Sequence, residues 1–102
     1  MSKIIDFISR FKGSEHVFLY GCCYWFAFIL SNRFYAEYPE IMYEPVEGHF
    51  VTKINGRYYD VRGDVTDEYC IKSMYRLEDM AQGDSSWYRH LMRDCRDFER
   101  VE

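Results

Sequence analysis

Asn55-Gly56 constrains this chain more than any other pair of residues. It separates two β-prone runs, His49–Ile54 and Arg57–Arg62. Asn-Gly accepts positive φ at both central positions of a type I′ turn, so it predicts a tight hairpin. A two-residue turn also sets the register. Ile54 faces Arg57, Thr52 faces Tyr59, Val51 faces Asp60 and His49 faces Arg62. Side chains alternate across a strand, so His49, Val51, Asp60 and Arg62 share one side. The more apolar set, Phe50, Thr52, Ile54, Tyr59 and Val61, is expected to press on the core. His49 and Asp60 become diagonal neighbours, about 7–8 Å apart along the backbone and closer at Cβ. Their side chains can meet.

Upstream lies the longest uncharged stretch, Val17–Asn32, 16 residues long. A spanning helix needs about 20 apolar residues, so no membrane is expected as a partner. From Cys22 to Leu30 every residue is apolar or aromatic. A helix apolar all round is buried, and Tyr24, Trp25, Phe26 and Phe28 read as core. Gly21 lets the chain turn sharply before it. Cys22 and Cys23 then stand at a helix N-terminus, where unpaired N–H groups and the helix dipole favour thiolate over thiol.

The remaining elements are shorter. Ile4, Ile5, Phe7, Ile8 and Phe11 recur at helical spacing, with Ser2 at the start and Gly13 at the end. Residues 35–48 contain both prolines and four acids, Glu37, Glu40, Glu44 and Glu47, which read as a solvated loop around a brief strand at Ile41–Tyr43. Gly63-Asp64 ends the second hairpin strand, and Thr66 is placed to cap a short helix. Residues 74–77 fit helix or strand. A last helix is expected from Asp84 or Ser85, with Tyr88, Leu91, Cys95 and Phe98 on one face and mixed charges on the other.

A chain of 102 residues with no linker or repeat is expected to form a single domain, 1–102. The fold class expected is α+β: a buried helix in the N-terminal half, packed on a small antiparallel sheet, with flanking helices. The net charge is −4, and the acidic excess lies wholly after residue 62. With no basic stripe, direct nucleic-acid binding is not expected. No secretory signal is visible, so the reading is cytoplasmic, with Cys22, Cys23, Cys70 and Cys95 as thiols. Cys70 and Cys95 read as packing residues, and His16 and His90 as exposed or capping. No cofactor is implied by any motif, and no C-x-x-C pair suggests a structural zinc.

Three segments together resemble a family. Cys23-Tyr24-Trp25-Phe26-Ala27 fits C-x-x-F-A at a helix start, His49 opens a strand, and Gly56-Arg57-Tyr58-Tyr59-Asp60-Val61-Arg62-Gly63 fits G-R-x-x-D-x-x-G. This pattern, over roughly residues 20–64, resembles small papain-like or NlpC-like cysteine peptidase-fold proteins of bacteria and phages. The resemblance implies a papain-like core, with Cys23 as nucleophile, His49 as base and Asp60 as the acid that orients it. It also implies a hydrolase or acyltransferase acting on an amide or ester bond of a peptide or protein substrate. The sequence departs from the pattern in lacking a Gln before the nucleophile; Gln82, the one Gln, follows all three residues. Two other readings stand beside this one. A non-catalytic inhibitor on the same fold, of anti-defence or anti-CRISPR type, would bind a host protein target through its acidic surface. A zinc site would use Cys23, His49 and Asp60 with Cys22 or water.

Overall fold

The computed structural model describes residues 3–15, 23–82 and 89. Apart from Arg89, the expected last helix, and with it His90 and Cys95, lies outside the described residues, as do His16 and Cys22. The chain is α+β. Helix α1 (Lys3–Ile8) runs into a 3-10 turn (Ser9–Phe11), and α2 spans Cys23–Arg33. Strands β1 (Glu40–Glu44), β2 (His49–Ile54), β3 (Arg57–Asp60) and β4 (Gly63–Asp64) follow. Helix α3 (Thr66–Tyr69), strand β5 (Tyr75–Arg76), helix α4 (Leu77–Gln82) and a second 3-10 turn (Tyr35–Glu37, after α2) complete the described elements.

The five strands form one antiparallel sheet in the order β4-β3-β2-β1-β5. The hairpin forms in the expected register, with Ile54 opposite Arg57 and Thr52 opposite Tyr59. Asn55 and Gly56 adopt φ of 52° and 80°, both in the region a type I′ turn demands.

As the central strand, β2 is buried on both faces. Phe50, Thr52 and Ile54 lie under α2. Phe26 and Leu30 pack with Ile54, Tyr59, Val61, Ile4 and Ile8. Cys23, Tyr24 and Ala27 pack with Phe50, Tyr43 and Met80. The Thr52 hydroxyl satisfies itself within this layer by donating to the Ala27 carbonyl at 3.3 Å. On the opposite face Met42, Val51 and Tyr69 form a third cluster.

Several local expectations are corrected. Residues 40–44 form a full strand, because β1 pairs along its whole length with β2. Glu44 is buried, and its carboxylate accepts the Val46 and Glu47 N–H groups at 3.1 and 2.7 Å. Gly63-Asp64 does not simply end β3 but turns back to pair with it. Thr66 is the first residue of α3 and not its cap: its hydroxyl accepts the Tyr58 N–H, while Asp64 accepts the Thr66 N–H. Phe28 is 43 % exposed, because α2 has only one side against the sheet. Cys70 is exposed on the turn after α3 and is not a packing residue.

Candidate active site

The site is built where α2 begins and β2 begins. Cys23 is the first helical residue described in α2, and His49 is the first residue of β2. The turn before β2 closes through Gly48, at φ 67°, a conformation that glycine adopts without penalty. The Gly48 carbonyl lies 4.0 Å from the Cys23 sulfur. Cys23 and His49 are 26 positions apart in sequence. Packing of Tyr24 against Phe50, with ring centroids 5.4 Å apart, holds the two chain segments together.

His49 is the middle member of a chain of three groups. Its Nε2–H donates to Asp60 Oδ2 at 2.9 Å. The carboxylate can only accept, which assigns the proton to that nitrogen. Nδ1 is the other ring nitrogen; Cys23 stands next to His49, its sulfur 4.0 Å from the carbonyl of the adjoining Gly48. All three side chains are nearly buried. Tyr69, from α3, lies over the His49 ring with centroids 5.9 Å apart.

The electrostatics follow from this order. Burial pushes the Cys23 thiol up, but the His49 hydrogen bond and the Phe50 and Tyr24 N–H groups bring it below its ordinary value. Burial pushes His49 down, and the Asp60 bond and the neighbouring Cys23 reverse this and raise it to about 9. Burial pushes Asp60 up, and its bonds to His49 and Arg62 hold it below the usual carboxylate value. These directions keep a proton on the imidazole at neutral pH and move the thiol toward the thiolate.

The sequence-derived residues Cys23, His49 and Asp60 thus come together. A family model described as "Phage YunG-like protein" matches residues 1–98. The chain belongs to the Phage YunG-like family. No curated protein and no solved structure matches it. In this YunG-like chain, no group of three His, Cys, Asp or Glu residues among those described is placed to hold a metal ion. The Asp60 carboxylate is taken up by His49 and Arg62 instead.

The four acids of residues 37–47 are largely engaged within the chain. Glu40 pairs with Arg76 at 2.8 Å, Glu47 with Lys72 at 3.0 Å, and Glu37 accepts from Asn55 at 3.1 Å. Sequence reasoning missed two further residues of the site. Arg62 was placed on the His49–Asp60 face without a role, and its position two residues after Asp60 was the signal. Tyr69 carried no local signal, since only the fold of α3 onto the sheet brings it to His49.

A groove of about 680 Å³ runs along α2 from Tyr24 toward its C-terminal end. Tyr24, Phe28 and Ser31 of α2 form one wall, and Ile41 and Leu77 stand opposite. The three candidate residues do not line it. It starts at Tyr24, the chain neighbour of Cys23, and Ile41 and Leu77 pack on the cluster that contains Cys23. No helix among the described residues is long and apolar enough to cross a membrane.

Proposed function

We propose that this protein is a cysteine hydrolase or acyltransferase that cleaves an amide or ester bond with Cys23, His49 and Asp60. The observation that carries the reading is the buried His49–Asp60 bond at the start of β2, next to Cys23 at the start of α2. The Cys23 thiolate attacks the substrate carbonyl carbon and forms a C–S bond, and the carbonyl oxygen becomes the oxyanion. The His49 imidazolium gives its proton to the leaving amine or alkoxide as the tetrahedral species collapses to a thioester. Water, or an acceptor amine or alcohol, then attacks the thioester while His49 takes its proton, and the Cys23 thiolate departs. Asp60 holds the ring in one tautomer and stabilises the imidazolium. The groove beginning at Tyr24 suits one side of a peptide or protein substrate. A reducing, cytoplasmic setting is consistent with the free thiols Cys23 and Cys70.

The inhibitor reading rests on exposed acidic surface. It gains less support, because Glu44 is buried and Glu40 and Glu47 are neutralised by ion pairs.

The experiment is site-resolved alkylation with iodoacetamide at pH 6, read by mass spectrometry of the Cys23 peptide. Cys23 is expected to react at least tenfold faster than a free thiol, and His49→Ala to abolish the difference. A Cys23 rate no higher than that of exposed Cys70 would remove the reading.

A further inference from the structure

Asp60 is 2 % exposed, yet its carboxylate makes five contacts with hydrogen-bond donors, only one of which is to His49. The other four belong to Arg62. Its backbone N–H donates to Oδ1 at 2.8 Å. Its Nε lies 3.2 Å from Oδ1 and 3.1 Å from Oδ2, and its Nη2 donates to Oδ2 at 2.6 Å. Asp60 is thus gripped at both oxygens by a planar fork that cannot lose its charge. The other edge of the guanidinium reaches Glu68 on α3 at 3.3 Å, which fixes the fork from outside.

A buried carboxylate whose sole partner is an imidazole faces a problem during turnover. Each time the imidazole gives up its proton, an unpaired negative charge is left out of water, and that is costly. The arrangement here avoids this. We propose that Arg62 is the positioning residue of the site: it aims Asp60 at His49 and supplies a permanent counter-charge while the imidazole gains and loses its proton. This inference rests on the catalytic reading of Cys23 and His49.

The charged and titratable groups around the pair are few. Cys23 faces it from α2, the buried Glu44 from β1 as the strand partner of His49, Glu68 and Tyr69 from α3, and Glu47 from the turn before β2, with Lys72 bonded to Glu47. Arg62 is the one permanently charged side chain that bonds Asp60 among the described residues. Removing its charge leaves the Asp60 charge undamped. The negative field at Cys23 then grows, so the thiolate forms at higher pH.

Two variants separate charge from geometry. Arg62→Gln keeps N–H donors and loses the charge; Arg62→Lys keeps the charge and loses the fork. The first readout is the midpoint of Cys23 alkylation by iodoacetamide against pH. Arg62→Gln is expected to raise it by about one unit, the effect of one charge several ångströms away under near-surface screening. Arg62→Lys is expected to restore it. The second readout is the ¹⁵N spectrum of His49 above its titration. Wild type is expected to show the Nε2–H tautomer alone, and Arg62→Lys a mixture, because a point charge cannot hold both oxygens. If Arg62→Gln does not fold, this second readout decides. Folded variants with the wild-type midpoint and the wild-type tautomer overturn the inference. A wild-type midpoint at the free-thiol value instead sinks the catalytic reading itself, and the two failures are distinguishable.

Discussion

Tyr69 roofs His49, its ring centroid 5.9 Å from that of the imidazole and inclined by 35°. Tyr69 is 1 % exposed, and its hydroxyl donates to Glu47 Oε1 at 3.2 Å. The ring therefore keeps water from the His49–Asp60 bond on the face that α2 does not cover. Truncating it to Ala is expected to destabilise the protein by about 3–5 kcal/mol, the usual range for a large buried aromatic. Tyr69→Phe removes only the hydroxyl bond and is expected to cost about 1 kcal/mol. Urea denaturation of both variants checks the difference. Equal losses would mean the hydroxyl, and not the ring, holds α3 on the sheet.

Above 6.5 and above the depressed Cys23 value, stability should be nearly independent of pH up to about 9, for a reason specific to the Cys23–His49 pair. A raised His49 stabilises the fold below its ordinary 6.5, and this contribution is lost as pH rises through about 9. A lowered Cys23 contributes above its ordinary 9.0, and this contribution is lost as pH falls through its depressed value. In that window the folded pair holds one proton, on His49, and the unfolded chain also holds one, on Cys23. With equal proton counts the slope is near zero. In Cys23→Ala the compensation disappears, and Asp60 still favours the imidazolium. That variant is expected to lose stability as pH rises above 6.5. Denaturation midpoints at pH 6.5, 7.5 and 8.5 read this directly, and a steep wild-type slope would contradict the thiolate–imidazolium assignment.

Ser31 presents a different case, because its buried hydroxyl has no hydrogen-bond partner among the described residues. In a helix a serine hydroxyl commonly turns back to the carbonyl four residues earlier. Here that carbonyl, of Ala27, already accepts from Thr52. Ser31→Ala removes an unsatisfied oxygen and raises helix propensity. It is expected to leave the protein unchanged or more stable by about 0.5–1 kcal/mol. A thermal shift downward would show that the hydroxyl has a partner in solution.

Gly56→Val tests the turn that sets the His49–Asp60 register. Gly56 has φ of 80°, and nothing lies within 4 Å of where a Cβ would sit. The penalty is therefore conformational and not steric crowding by neighbours. A β-branched residue in the left-handed region is expected to cost about 1–2 kcal/mol. Unchanged thermal stability would mean the turn relaxes at no cost, and the register is then held elsewhere.

Much of the site was legible in the sequence because its decisive parts are local. Asn55-Gly56 sets the hairpin, side-chain alternation puts His49 and Asp60 on one face, and an unbroken apolar run makes α2 a buried helix behind Cys23. Turn chemistry and periodicity act over a few residues, so one chain reports them without its fold. Tertiary structure decided what depends on distant segments. β1 is a full strand because β2 lies beside it, and Glu44 is buried because its carboxylate ties the turn between them. Cys70 faces solvent because α3 ends after one turn. The approach of Cys23 to His49 depends on Tyr24, Ala27 and Phe50 packing across the interface between helix and sheet. Arg62 and Tyr69 gain their places from the same long-range packing, in which the energy belongs to pairs of residues far apart in sequence and no local pattern records it.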